Sequence, residues 1–140
     1  MSNTVKVLLD THIWVRLQTL SRPVSREAIR AIQKAERIGS VYISAISVWE
    51  VAMITRKNRL ALDMPIRQWV TEALNKPGIQ LLPVTAEIAI EASELPEPMH
   101  KDPSDRLIVA SARTELMTLI TADKLILQSA PAIGLNCIEG

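Results

Sequence analysis

The hydrophobic pattern alternates between two periods. Val5–Leu9 is a short β-branched and leucine run, suited to a buried strand, and it stops at Asp10. Helical spacing follows from Thr11 to Leu20, up to a break at Ser21-Arg22-Pro23. Ser25 is placed to N-cap a helix reaching about Arg37, which Gly39 closes. Val41–Ile43 reads as a second strand, and Ser47 as the start of a helix carrying Val51, Ala52 and Ile54. Pro65 suits the first turn of a helix over Ile66–Leu74, which Pro77-Gly78 ends. A third strand is expected at Ile79–Leu82, then a helix capped by Thr85 and running to about Glu94.

Pro96 to Asp102 carries two prolines and little pattern, so it reads as a loop. Asp102-Pro103 then opens a helix whose Leu107, Ile108, Ala110 and Ala112 lie on one side. Thr118–Ile120 is the fourth strand, a short helix spans about Ala122 to Gln128, and Asn136–Ile138 is a fifth strand. Short apolar strands alternating with amphipathic helices predict an α/β fold with a short central, mostly parallel sheet flanked by helices. No repeat or linker divides the 140 residues, so one domain over 1–140 is expected.

Composition narrows the chemistry. Aromatics are 3% with no Phe, which argues against stacking platforms for single-stranded nucleic acid. The single cysteine, Cys137, allows neither an internal disulfide nor a cysteine-pair zinc site. With no long apolar segment or leader pattern, a cytoplasmic location is expected. Charge is uneven: residues 1–60 hold ten Lys/Arg against four acids, residues 61–140 six against eleven. The basic first half suits a phosphate-bearing partner or, more simply, solvated helix faces.

Ligands of such folds gather beyond the carboxyl ends of the strands. Asp10 follows strand one directly, Glu50 sits in the first turn of the helix after strand two, Asp105 in the first turn after the Pro-rich loop, and Asp123 just past strand four. Each has a plain structural reading. Ser47-Val48-Trp49-Glu50 fits a capping box, Asp102-Pro103-Ser104-Asp105 repeats it with a shorter acid, and Asp123 suits a helix start. Asp10 is harder to dismiss, since an acid closing a buried strand is costly without a partner. Four acids at one end of one sheet raise each other's pKa, and a hard divalent cation, Mg²⁺ or Mn²⁺, relieves that repulsion. Such a site suits metal-dependent phosphodiester hydrolysis.

Four segments carry a family resemblance. Leu8-Leu9-Asp10-Thr11-His12-Ile13-Trp14, Ser44-Ala45-Ile46-Ser47-Val48-Trp49-Glu50, the segment from His100 through Lys101-Asp102-Pro103-Ser104-Asp105-Arg106 to Ala110, and Leu119-Ile120-Thr121-Ala122-Asp123 resemble, in order, the motifs of PIN-domain ribonucleases, especially VapC-like toxins of toxin–antitoxin pairs. The resemblance runs from Val5 to about Ile126. It implies a PIN-like fold and Mg²⁺-dependent cleavage of RNA to a 5′-phosphate and a 3′-hydroxyl by water activated at the metal. Asp10 and Asp105 are then the principal metal ligands, with Glu50 and Asp123 completing the catalytic pocket. It also implies a homodimer and a small antitoxin that lays a peptide across the groove. Lys101 stands where Arg is common and Ser104 where a bulky aromatic is common, which bears on groove shape rather than on the reaction.

Rival readings are a catalytically silent PIN-fold interaction module and a metal-dependent phosphatase with Asp10 as nucleophile. The second usually shows an acid two residues on, where this chain has His12. His12 and His100 are expected to hydrogen-bond locally or fix a loop, Thr11 and Thr121 either to cap or to hold carboxylates, and Arg106 to meet a carboxylate or a phosphate. Trp14, Trp49 and Trp69 are expected in the core or at an interface.

Overall fold

A computed structural model describes residues 5–96, 99 and 101–140. The elements run β1 (Val7–Leu9), α1 (Thr11–Thr19), α2 (Arg26–Glu36), β2 (Val41–Ser44), α3 (Ala45–Arg56), α4 (Ile66–Leu74), β3 (Ile79–Leu82), α5 (Ala86–Ser93), α6 (Pro103–Thr114), β4 (Thr118–Thr121), α7 (Lys124–Ser129) and β5 (Cys137–Glu139). The strands pair in the order β3-β2-β1-β4-β5, and every pairing is parallel. The alternation read from the sequence is thus an α/β fold with a wholly parallel sheet.

Side-chain alternation along β1 divides the core. Leu8 faces a layer built with Ile88, Ile108, Val109 and Leu119, whereas Val7 and Leu9 face Ile13, Trp14, Ile43 and Trp69. Helices therefore cover both faces of the sheet, and fully burying each large side chain contributes about 1.5–3 kcal/mol. Trp14 and Trp69 pack ring to ring, with centroids 5.0 Å apart.

The chain leaves β1 to build β2 and β3 on one side and returns to add β4 and β5 on the other. The order therefore reverses beside β1, where Leu9 stands opposite Ile120. A crevice opens at such a reversal, past the strand ends.

Most predicted ends hold. Ser25 caps α2 and Thr85 caps α5. The start of α3 needs correction. The helix begins at Ala45, and Ser44, still extended at φ −71° and ψ 143°, accepts from the Ile46 N–H. Ser47 is therefore inside the helix and Glu50 in its second turn, so the predicted capping box does not form. The first strand is also shorter than expected, since Val5 is exposed and pairing begins at Val7. The helix expected from Ala122 starts at Lys124, because Asp123 is its cap.

α6 ends in a Schellman arrangement without its usual glycine. Met117 N–H donates to Ala112 O at 2.8 Å, while Leu116 takes φ 55° and stays 86% exposed. A left-handed leucine costs about 1–2 kcal/mol, and this one buries little in return. Leu116→Gly is therefore expected to raise Tm by about 2–4 °C, part of the relief being lost to the entropy of the unfolded chain. A melting curve checks this, and an unchanged or lower Tm would refute it.

Candidate functional site

Asp10 is 2% exposed, and both its oxygens are engaged. Oδ1 accepts the Thr11 N–H at 2.8 Å and Oδ2 accepts the Thr121 hydroxyl at 2.7 Å, so the residue both closes β1 and caps α1. The Asp10 N–H is spent on Ile120 O at 2.9 Å, which locks this strand end to β4. Thr121 Oγ1 also accepts the Asp123 N–H at 3.0 Å, tying the fourth acid to the first.

Glu50 is positioned by tertiary contact. Thr11 Oγ1 lies 2.5 Å from Glu50 Oε1 and 2.8 Å from Ser47 Oγ, joining α1 to α3. Thr11 and Thr121 thus both hold carboxylates. Asp105 reaches the site from the first turn of α6, where the Asp102 side chain accepts its N–H at 3.0 Å, the capping role expected of Asp102. Asp10, Glu50 and Asp105 line one cleft of about 380 Å³. Asp123 stands beside it, its Oδ1 accepting from the Leu125 and Ile126 N–H groups at the start of α7.

Electrostatics binds the group together. Burial first, and then the charges of Asp10, Asp102, Asp123 and Glu50, together push the Asp105 carboxyl up to about 7. Glu50 is raised chiefly by burial, against a lowering hydrogen bond from Thr11, with Asp10 and Asp102 adding to the rise. Among the described residues, no three acidic, histidine or cysteine side chains are gathered closely enough to hold an ion as they stand. The acids face one another across a gap, with excess negative charge and no ready coordination shell.

This charge has a consequence for stability. Folded Asp105 keeps its proton to about pH 7, while in the unfolded chain it loses it near 3.8. Between these values the folded state binds more protons, so stability falls as pH rises through the window. The protein in a chelating buffer is expected to melt progressively lower from pH 5 to pH 8, and Asp105→Asn to flatten the trend. A Tm that rises over this range would contradict the assignment.

Other expected residues resolve individually. His12 Nε2 accepts the Ala122 N–H at 2.9 Å, which places the neutral ring's proton on Nδ1, 3.7 Å from Asp10 Oδ2. Its partner is thus across the sheet rather than local. His100 lies outside the described residues. Arg106 donates to the Ala92 and Leu95 carbonyls, fixing the end of α5 and the residues just past it to α6. Trp14 and Trp69 are core, whereas Trp49 is 54% exposed and lines an apolar groove between α3 and α4. The Cys137 thiol is pushed up to about 11 by burial and by Asp10, so it stays protonated at neutral pH. Sequence reading missed the other wall of the cleft, which carries Arg16, Arg22 and Arg59.

Residues 7–130 match the profile of the PIN domain. The chain is 30% identical over 118 residues to Ribonuclease VapC22 of Mycobacterium tuberculosis, covering 84% of this chain and 87% of that protein. Similar solved structures include a DNA-bound VapBC from Salmonella typhimurium (TM-score 0.66, 15% identity, 96% of this chain and 98% of that one). A toxin–antitoxin complex from Klebsiella pneumoniae is also similar (TM-score 0.60, 23% identity, 86% and 90%).

Proposed function

This chain belongs to the PIN domain family, and from that premise we propose that it is a divalent-metal-dependent endoribonuclease, the toxin of a toxin–antitoxin pair. The observation that carries the reading is the cleft in which Asp10, Glu50 and Asp105, from three separate elements, face one another with Asp123 alongside. Ribonuclease VapC22 is a named ribonuclease, and one of the similar structures is a toxin–antitoxin complex.

The donor set fits a hard cation. It is all oxygen, and Glu50 and Asp105 are raised toward their neutral forms by burial and by the neighbouring acids, a repulsion that a cation would relieve. Asp10, Asp105 and Glu50, with Asp123 completing the pocket, would hold Mg²⁺ or Mn²⁺. The cation supplies polarisation of a phosphoryl oxygen and a water acidic enough to attack near neutral pH. The chain's own part is positional. Thr121 and the Thr11 amide hold Asp10 in one orientation, the Thr11 hydroxyl holds Glu50, and Asp102 fixes the turn that presents Asp105. Asp105 would have to give up its proton to hold the cation, so at limiting metal activity is expected to rise from pH 6 to pH 8.

Purified protein incubated with end-labelled RNA tests this reading. Cleavage with Mg²⁺ or Mn²⁺, giving 5′-phosphate and 3′-hydroxyl ends and stopping with a chelator, is expected. Intact RNA after incubation with folded protein and either metal would overturn it. The toxin further acts as a homodimer restrained by a small antitoxin whose Arg or Lys enters the acidic groove. Leu81, Val84 and Ile90, exposed along β3 and α5, offer apolar surface that a second copy would cover. Light scattering showing a monomer at micromolar concentration would reject the dimer. Among the described residues, no helix is long and apolar enough to cross a membrane.

A further inference from the structure

The cleft has two walls of opposite charge. One is acidic; the other carries Arg16 on α1, Arg22 after α1 and Arg59 after α3. Among the described residues, none of these guanidinium groups is in an ion pair or a side-chain hydrogen bond. Two left-handed reversals bring them there. Leu20, at φ 54° and 86% exposed, turns the chain after α1, so that Arg22 comes back beside Arg16. Asn58, at φ 57°, does the same after α3, and the Arg59 N–H donates back to Ile54 O at 2.9 Å. Arg16 and Arg22 also line an adjoining groove of about 350 Å³, so the positive surface continues outward from the cleft.

A guanidinium offers five donors in a planar fork that matches two phosphate oxygens, and three such groups lining one cleft with no side-chain partner are free to receive an anion. A phosphodiester backbone suits both walls once a divalent cation offsets the acids: its repeated phosphates meet the arginines of the cleft and of the adjoining groove while one phosphate lies at the acidic site. We propose that Arg16, Arg22 and Arg59 form the clamp that holds the RNA backbone beside the acidic site, with Arg16 and Arg22 gripping the strand as it leaves along the adjoining groove. This rests on the nuclease reading above and names the residues that position its substrate. It also assigns part of the basic first half of the chain a task beyond solvation.

The test uses the full chain with Asp10→Asn, in chelator, so that RNA binds and is not cut. Fluorescence anisotropy follows a fluorescein-labelled single-stranded RNA of mixed sequence and about 20 nucleotides across a salt series. Replacing Arg16, Arg22 and Arg59 together by Gln is expected to weaken binding at least about tenfold near 100 mM salt and to lower the slope of log Kd against log salt by about 2. The same change at Arg26, Arg30 and Arg37, exposed on and just after α2, should leave affinity within about threefold, since those groups do not line the cleft. Arg59→Gln alone, on an exposed turn that tolerates substitution, is expected to lose about two- to fivefold. In the unaltered background with Mg²⁺, the triple variant should raise KM with kcat within about threefold, as loss of uniform binding requires.

Unchanged affinity and salt slope in the triple variant would overturn the clamp, as would an equal loss in the α2 control, which would mean bulk charge. Undiminished RNA binding with lost binding of labelled polyglutamate would reassign the arginines to an acidic peptide and also overturn it. The nuclease reading fails separately, if the unaltered chain binds RNA through these arginines and does not cut it with either metal.

Discussion

Asp10→Asn is expected to lower RNA cleavage by about three orders of magnitude or more while the protein stays folded, because it takes charge from the centre of the site without changing its shape. Asp10 is the most enclosed of the four acids and sits where the sheet order reverses. Its Oδ1 accepts from Thr11 N–H, and an Asn oxygen can do the same. The Asn amide would then face Thr121 Oγ1, which can turn to accept while still receiving the Asp123 N–H. Stability should therefore change by only about 1 kcal/mol. It should also gain in one respect, since after burial Asp10 contributes the largest charge effect raising Asp105. The fall of Tm between pH 5 and pH 8 should accordingly be shallower in the variant. Cleavage at the unaltered rate by folded Asp10→Asn protein in Mg²⁺ would sink the assignment of Asp10.

What was legible in the sequence was what local physics decides. Within the Val5–Leu9 run, Val7-Leu8-Leu9 marks a strand because a strand buried on both faces accommodates consecutive Val and Leu with no polar residue between them. Asp102-Pro103 marks a helix start because proline lacks the N–H that a first turn leaves unpaired. The four acids were legible by their placement after strand ends, and Asp10, Glu50 and Asp105 do line one cleft. Where long-range contacts decide, the reading fails. Ser44 and Ser47 give equal local signals for a cap; Ser44, extended at the end of β2, takes it, while Ser47 lies inside α3 and pairs across to Thr11 on α1. His12 finds its partner in Ala122, on a strand end that no local pattern connects to it. Arg22 and Arg59 follow left-handed reversals at Leu20 and Asn58, where no periodicity indicates which way a side chain turns.

Glu50→Gln separates a structural from a catalytic duty for this residue more sharply than the sequence allowed. The capping role that would have explained Glu50 is absent, since Ser47 lies inside α3 and the cap is Ser44. What holds Glu50 is the Thr11 hydroxyl, at 2.5 Å from Oε1. A Gln oxygen can accept that same hydrogen bond, so the join between α1 and α3 survives and Tm should stay within a few degrees. Burial and the neighbouring acids raise the Glu50 carboxyl, so loss of its charge relieves strain in the metal-free protein and does not add any. If Glu50 serves only to tie the helices, the variant keeps its turnover. If it helps hold the cation, cleavage drops by about a hundredfold, and higher Mg²⁺ recovers part of it because the lost ligand weakens metal binding. We expect the second outcome, read as a rightward shift of the Mg²⁺ dependence of the cleavage rate. Thr11→Val supplies the cross-check: it keeps the charge and frees the side chain, so its rate should fall between the unaltered protein and Glu50→Gln. Near-normal turnover and an unshifted Mg²⁺ curve in Glu50→Gln would return the residue to a structural role and leave Asp10 and Asp105 as the acids on which the chemistry depends.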